Sequence, residues 1–156
     1  MLIYFAGPLF SQAERSFNQQ LTDQLEASRF RVFLPQRDGA EKGTPPFDTM
    51  TMEEYRRAIF HLDKSQVLAC DILLFILDGR VPDEGACVEL GIAYCHKDVE
   101  HAEKLLIGFQ TDMRVRLFDL TLNPMITGAL DYIAFDQSSL LDVLKHYQVH
   151  RRLPER

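Results

Sequence analysis

The sequence predicts an open, doubly wound α/β domain: a parallel sheet of about five strands with helices on both faces. Short apolar segments alternate with longer segments of helical periodicity, and this alternation is typical of a parallel sheet with right-handed crossovers. The apolar run at residues 69–77 is typical of a central strand covered on both faces. A closed eight-fold barrel needs roughly 250 residues, whereas this chain has 156.

Five strands and four longer helices follow from the alternation. Strands are expected at residues 2–6, 31–34, 69–77, 105–109 and 132–135. Helices are expected after Ser11 and at residues 50–67, 84–96 and 138–147, with a loop and a short helix between 112 and 130. Ser11 is a predicted N-cap because Glu14, three residues later, completes a capping box. Residues 35–49 form a Gly- and Pro-containing loop, long enough that a function is expected for it.

Size, charge and cysteine content narrow the function classes. One domain over residues 1–156 is expected, with a flexible tail at 150–156. The net charge of −6 and the scattered basic residues argue against a polynucleotide partner and favour a small neutral or cationic ligand. The apolar segment at 2–6 is too short for a signal peptide or a membrane span, so we expect a soluble cytoplasmic protein. Three cysteines without a Cys-x-x-Cys pair predict neither a disulfide scaffold nor a zinc site.

Acidic residues crowd the end of the most buried predicted strand, and in open α/β sheets ligands bind outside the carboxyl ends of the strands. Asp83 and Glu84 are explained by an N-cap and by the helix dipole. Glu89 lies too deep in its predicted helix for either explanation. Its helical neighbours at positions 85, 86 and 93 are very small, which predicts a hollow around its carboxyl group. Alternatively, small residues in this helix serve close helix–sheet packing, as Gly91 would.

Asp63 is the second unusual carboxyl group. It lies between Ile59 and Val67 on the apolar face of its predicted helix, where an unpaired charge is costly. A partner on a neighbouring element, or a slightly rotated helix, would explain it structurally. The functional explanation is a shifted pKa suited to acid or base catalysis.

Several segments match one family in order and position. They are Tyr4-Phe-Ala-Gly-Pro, Asp63, Asp78-Gly, Asp83-x-Gly, Glu89-x-Gly-x-Ala and Asn123-Pro-Met125-Ile. On these residues the chain resembles the nucleoside 2-deoxyribosyltransferase family. The resemblance implies a flavodoxin-like fold and an enzyme of nucleotide salvage that exchanges the base of a 2′-deoxyribonucleoside with a free nucleobase. It implies a covalent intermediate, retention of configuration, and no metal or organic cofactor.

The resemblance also implies four catalytic residues. Glu89 matches the nucleophile that attacks the anomeric carbon. Asp63 and Asp83 match the carboxyl groups that bind the base and deliver a proton to its leaving nitrogen. Tyr4 matches a tyrosine that orients the nucleophile.

Further residues are implied to bind substrate: Asp78, Gly79, Gly7, Gln36, Asn123 and Met125. Gln36, in the long loop, would contact the base. Asn123 and Met125 match a segment that reaches the sugar 5′-hydroxyl in the neighbouring subunit's site, which implies a homo-oligomer. Neither a polynucleotide nor a membrane is an expected partner.

Two other functions stay open at the level of sequence. A 2′-deoxynucleoside 5′-monophosphate N-glycosidase would need a phosphate cradle in the turn after the first strand. Here that turn is Gly7-Pro8-Leu9-Phe10, with apolar residues and a proline that lacks an N–H, although Ser11 and Arg15 remain available. A non-enzymatic flavodoxin-like nucleotide sensor is the alternative of another class. A receiver domain is disfavoured because Gly7-Pro8 replaces the acidic pair it needs.

Overall fold

A five-stranded, all-parallel sheet forms the centre of the computed structural model, which describes residues 1–79 and 81–154. The strands are β1 (Leu2–Ala6), β2 (Arg31–Phe33), β3 (Ile72–Ile76), β4 (Leu105–Phe109) and β5 (Tyr132–Ala134). Their order is β2-β1-β3-β4-β5, the flavodoxin-like order of a doubly wound sheet. The predicted fold class is confirmed.

Seven helices are found in the described residues. They are α1 (Gln12–Ala27), α2 (Pro35–Asp38), α3 (Met52–Ala69), α4 (Glu84–Val99), α5 (Met113–Leu117), α6 (Pro124–Ala129) and α7 (Gln137–His150). α1 and α7 cover one face of the sheet and share a core cluster with residues such as Ile3 and Phe5. α3 and α4 cover the other face and pack on Tyr4 and Ala6. Successive β1 side chains therefore point to opposite faces, and Tyr4 points toward α3 and α4.

Side-chain caps fix where the helices begin. The predicted capping box of α1 is present, with the Ser11 hydroxyl accepting from the Glu14 N–H and the Glu14 carboxylate accepting from the Ser11 N–H. Asp83 caps α4, as predicted, through its Oδ1, which accepts from the Ala86 N–H at 2.9 Å. A second capping box, between Thr51 and Glu54, begins α3. Asp83 and α3 both border the site described below.

The structure differs from the sequence prediction in several places. The predicted loop at 35–49 begins with a helical turn, α2, which is closed by the Asp38 carboxylate accepting from the Leu34 N–H at 2.9 Å. Residues 112–130 hold two short helices, α5 and α6, where one was expected. Gly91 does not serve close packing, because a Cβ added there would meet no atom within 4 Å.

The C-terminal helix α7 is longer than predicted and ends at His150. Beyond it, Leu153 packs against the α1–α7 core cluster. Residues 155–156 of the predicted flexible tail lie outside the described residues, and its flexibility stays a prediction. No helix in the described part of the chain is long and apolar enough to cross a membrane.

One glycine determines how closely two strand ends approach. A Cβ added at Gly7, directly after β1, would lie 2.9 Å from the Cβ of Ile76 at the end of β3. Only a residue without a side chain fits at this distance. Gly7 therefore lets the chain leave β1 close against β3, at the carboxyl end of the sheet.

Candidate active site

A cavity of about 450 Å³ opens at the carboxyl ends of β1 and β3, between α3 and the first turns of α4. Three of its lining residues carry carboxyl groups: Asp63 from α3, Asp83 at the α4 N-cap and Glu89 from α4. We call it the carboxyl cavity. Gly7 also lines it. The structure thus brings four of the predicted site residues together at the edge of the sheet where the fold class places ligands.

Tyr4 holds the carboxyl group of Glu89. The Tyr4 hydroxyl donates to the Glu89 Oε1 at 2.6 Å, although the two residues are 85 positions apart in sequence. The Tyr4 ring is fully buried and stacks on Phe33 with 5.6 Å between ring centroids. Burial, together with the nearby Glu89 and Asp63 carboxylates, raises the pKa of Tyr4 far above its usual value. The phenol therefore stays protonated and acts as a fixed hydrogen-bond donor.

Glu89 titrates near neutral pH. Burial raises its pKa to about 7, the Tyr4 hydrogen bond opposes that shift, and the charges of Asp63 and Asp83 add to it. Such a value keeps the carboxylate and the carboxylic acid both accessible around pH 7. The hollow predicted around Glu89 is present, because Gly85 lines the carboxyl cavity beside it.

Asp63 is a second carboxyl group with a raised pKa. Burial raises the pKa of Asp63 to about 6. It makes no hydrogen bond or ion pair with any residue of the described chain, so the partner considered from sequence is not found among them. A carboxyl group that is protonated this readily is suited to donating a proton.

A smaller cavity of about 290 Å³ lies on the outer side of the same two carboxyl groups, between α3 and α4. Asp63 and Glu89 line both cavities, whereas Asp83 lines only the carboxyl cavity. Glu89 thus forms part of the wall between two openings.

Two predicted substrate-binding residues point elsewhere in this chain. Asp78 accepts from the N–H groups of Thr111 and Asp112 at 2.6 and 2.8 Å, and so joins the loops that follow β3 and β4. Gln36 donates to the Arg15 carbonyl at 2.8 Å and accepts from Asn18 at 3.1 Å. Gln36 therefore faces α1, and neither residue lines the carboxyl cavity.

Apart from Gly7, the other predicted substrate-binding residues lie outside the carboxyl cavity. Gly79 and Asn123 line a separate crevice past the ends of β3 and β4. The Asn123 Oδ1 caps α6 by accepting from the Met125 N–H at 2.9 Å. Met125 is 81% exposed. The roles predicted for Asn123 and Met125 in a neighbouring subunit stay predictions.

Tyr55 is a cavity residue whose part in the site the sequence did not reveal. It lines the carboxyl cavity from α3, and its hydroxyl donates to the Ala40 carbonyl at 2.8 Å. Its ring also meets Phe47 edge to face, 6.3 Å between centroids. Tyr55 thus fastens the loop of residues 39–51 over the cavity. A hydroxyl-bearing aromatic residue on an otherwise apolar helix face was the available signal.

The described residues contain no group of three His, Cys, Asp or Glu side chains arranged to hold a metal ion. The chemistry available in the carboxyl cavity is that of its carboxyl groups. One is held by a phenol and ionises near pH 7, and another is protonated more readily than a free aspartic acid. Fold and site together define a flavodoxin-like α/β protein with a phenol-bound carboxyl group and a second carboxyl group of raised pKa at the carboxyl edge of its sheet.

A comparison with models of protein families assigns this α/β protein to one family. The model of the nucleoside 2-deoxyribosyltransferase family matches residues 3–125, which include all three cavity carboxyl groups. The chain belongs to the nucleoside 2-deoxyribosyltransferase family. None of the curated protein sequences matches the chain.

Solved structures with the same fold include two that superpose closely. A conserved protein from Enterococcus faecalis V583 has a TM-score of 0.74 and 26% identity, over 94% of this chain and 98% of that one. A 2-deoxyribosyltransferase from Bacillus psychrosaccharolyticus has a TM-score of 0.72 and 22% identity, over 91% of each chain. The CMP N-glycosidase BcmB from Clostridium botulinum has a TM-score of 0.48 and 15% identity, over 94% and 99%.

Proposed function

We propose that the protein is a nucleoside 2-deoxyribosyltransferase that exchanges the base of 2′-deoxyribonucleosides through a covalent intermediate on Glu89. The observation that carries the proposal is the Tyr4–Glu89 hydrogen bond of 2.6 Å in a cavity that Asp63 and Asp83 also line. Membership of the family supports it. The proposed substrates are small 2′-deoxyribonucleosides and free nucleobases.

In the first displacement, a Glu89 carboxylate oxygen attacks the anomeric carbon. The N-glycosidic bond breaks, and its electron pair goes to the departing base. A nucleobase leaves poorly as an anion, so Asp63 or Asp83 delivers a proton to the leaving nitrogen. General acid catalysis of this kind typically contributes 10²–10⁴-fold. Tyr4 keeps the attacking carboxylate in one orientation and stabilises its charge.

In the second displacement, a new base attacks the same carbon and releases Glu89 as a carboxylate. The aspartate that gave its proton in the first step now accepts one from the incoming base. Two inversions give overall retention, as in retaining glycosidases. Neither step requires a metal or an organic cofactor.

Transfer must outcompete hydrolysis of the covalent intermediate. The loop of residues 39–51, held by Tyr55, covers one side of the carboxyl cavity and would limit the access of water. We propose that a neighbouring subunit covers the outer cavity and contributes Asn123 and Met125 to the 5′ end of the sugar. The functional unit is then a homo-oligomer.

The test follows base exchange directly. Wild-type protein and a Glu89→Ala variant are incubated with 2′-deoxyinosine and adenine, and products are separated by chromatography. The wild type is expected to form 2′-deoxyadenosine, and the variant is expected to form none above background. No product from the wild type, or equal rates from both proteins, would contradict the proposal.

Two further measurements distinguish the N-glycosidase and the nucleotide sensor from the transferase. Hypoxanthine released from 2′-deoxyinosine 5′-monophosphate, with no exchange from the nucleoside, would indicate the N-glycosidase. Nucleoside binding without turnover, measured by calorimetry, would indicate the sensor. Thymidine as donor determines whether pyrimidines are accepted.

A further inference from the structure

The crevice past the ends of β3 and β4 is reached by the amide group of an almost fully buried residue, Gln110. Gln110 directly follows β4 and is only 4% exposed. Its backbone N–H donates to the Ala134 carbonyl at 2.9 Å, but its side-chain carboxamide makes no hydrogen bond with any described residue. Gln110 lines the crevice, so the small part of it that stays accessible faces the crevice. We call this site the Gln110 crevice.

The floor of the Gln110 crevice is fixed by the sheet. Ladder-type hydrogen bonds continue one residue past the strands, with the Leu77 N–H donating to the Phe109 carbonyl at 2.8 Å and Gln110 bonded to Ala134. The side chain of Leu77 is also buried, at 1% exposure. The Gln110 carboxamide keeps a small accessible surface inside the crevice, so a ligand there that offers both a donor and an acceptor can pair with it.

The walls of the crevice indicate what kind of ligand fits. Its volume is about 450 Å³, and apolar side chains including Leu77, Val115 and Leu122 line it. The two charged side chains that line it, Asp112 and Arg114, pair with each other at 2.9 Å between Oδ1 and Nε. With these charges mutually neutralised, the crevice favours an uncharged ligand over a phosphate ester. Apolar walls with a few fixed polar groups are typical of small-molecule sites.

We propose that the Gln110 crevice is a second nucleobase site, separate from the carboxyl cavity of the same subunit, with Asn123 at the edge proposed to face a neighbouring subunit. A carboxamide presents an acceptor and two donors side by side, which matches the adjacent N–H and C=O groups of an oxopurine or a uracil ring. The Gln110 Oε1 accepts from the ring N–H, and its Nε2 donates to the ring carbonyl, as amide side chains pair with base edges elsewhere. The choice of a nucleobase as ligand rests on the proposed function, whose acceptors are free bases.

Nuclear magnetic resonance of methyl groups locates the ligand. Protein labelled at Ile, Leu and Val methyl groups is titrated with hypoxanthine and no donor nucleoside. The methyl resonances of Leu77, Val115 and Leu122 are expected to shift, and to do so equally in an Asp63→Asn variant. Ile59, which lines the carboxyl cavity, reports binding there. Shifts at Ile59 alone, or no shifts at all, would overturn the proposal.

Two comparisons test the carboxamide itself. Gln110→Leu is expected to remove the three crevice shifts, whereas Gln20→Leu, on the exposed side of α1, retains them. Unsubstituted purine, which lacks the adjacent N–H and C=O pair, is expected to bind the wild-type crevice at least tenfold more weakly than hypoxanthine. Equal affinity for the two ligands would overturn the assigned pairing even if Gln110→Leu did not fold.

The outcome is independent of the exchange assay. Crevice shifts in a protein that exchanges no base would leave the site standing and remove the proposed function. Base exchange without crevice shifts would leave the proposed function standing and remove the proposed crevice site.

Discussion

The carboxyl groups at the two ends of the sheet differ in the hydrogen bonds that they accept. At the amino end, Asp71 accepts from the Leu2 N–H and Asp131 accepts from the Leu106 N–H, each at 2.7 Å. Each aspartate directly precedes a strand and fastens the start of its neighbour. At the carboxyl end, Asp63 has no hydrogen-bond partner among the described residues.

Their pKa values differ accordingly. Burial alone would raise the pKa of Asp71, but the Leu2 N–H and the Arg151 guanidinium hold it below the usual range. Burial raises the pKa of Asp63 to about 6 and that of Glu89 to about 7. In this protein the balance between burial and hydrogen-bond donors sets each pKa: two donors outweigh burial at Asp71, whereas burial outweighs the single Tyr4 donor at Glu89 and is unopposed at Asp63.

The largest expected difference between the two ends is in activity. Glu89→Gln is expected to lower the rate of base exchange by about 10⁴-fold, because the nucleophile is removed. The melting temperature at pH 8 should not fall, since the change also removes a charge that burial disfavours. Asp71→Asn, at the amino end, should keep the rate within about threefold. Comparable loss of activity in both variants would show that the two ends are not functionally distinct.

Next in size is the effect of a buried lysine at the amino end. Lys104 is 3% exposed, and its ammonium group donates to the carbonyls of Val67 and Cys70 at the C-terminal end of α3. Lys104→Met removes the charged donor from both carbonyls, leaving Val67 only the weak Cys70 thiol, and is expected to lower the free energy of unfolding by roughly 2–3 kcal/mol. Urea denaturation measures it. Lys145→Met, at an exposed position of α7, should change stability by less than about 0.5 kcal/mol.

Smaller effects of opposite sign are expected for one aspartate at each end. In the folded state Asp63 binds its proton more tightly than in the unfolded chain, so its contribution to stability falls as pH rises from about 4 to above 6. Asp63→Asn should therefore stabilise the protein by roughly 1–2 kcal/mol at pH 8, and this gain should vanish by pH 4. Asp71, with a lowered pKa, contributes stability at pH 8 that is lost as pH falls, so Asp71→Asn should destabilise at pH 8. Thermal denaturation of both variants at several pH values measures the two stability changes. If both variants were stabilised at pH 8, or both destabilised, the contrast between the two aspartates would be wrong.

The smallest expected effect concerns the hydroxyl group that holds the nucleophile. The Tyr4 hydrogen bond lowers the pKa of Glu89, so Tyr4→Phe should raise that pKa further. The acidic limb of kcat/KM, which falls as Glu89 is protonated, should move to higher pH, and the rate at pH 6 should drop by about tenfold. Tyr94→Phe, at an exposed position of α4, should leave the limb in place. If the acidic limb of kcat/KM stayed at the same pH in Tyr4→Phe, the Tyr4 hydroxyl would not be lowering the pKa of Glu89.

Most of the fold could be predicted because local signals agreed with the final packing. The apolar strands and the capping box at Ser11 depend on nearby residues, and the structure places them close to where the sequence did. The strand predicted at residues 69–77 begins only at Ile72, because α3 continues to Ala69. The helical turn α2 was missed because its closing contact, from the Leu34 N–H to Asp38, lies inside a segment whose glycines and prolines predict a loop. The role of Gly91 was misjudged because helical spacing does not show which face meets the sheet.

The carboxyl cavity could be predicted only in part. Glu89 and Asp63 were identifiable because each contradicts its local environment, a mid-helix charge in one case and an apolar face in the other. The orientations of Gln36 and Asp78 depend on contacts with α1 and with the loop after β4, which no sequence pattern encodes. Gln110 was overlooked because one polar residue at the end of a strand is ordinary until its burial is known.

Tyr55 divides the site into parts that can change independently. The groups proposed to break and form bonds sit on the sheet and on α3 and α4, whereas the loop that borders the cavity is attached to α3 by a few side-chain contacts, chiefly the Tyr55 hydroxyl to the Ala40 carbonyl and the Tyr55 ring to Phe47. Substitutions in that loop can therefore accumulate during evolution or laboratory selection without disturbing Tyr4 and Glu89. A library confined to residues 41–50 is expected to leave the Tyr4–Glu89 hydrogen bond in place in every folded member.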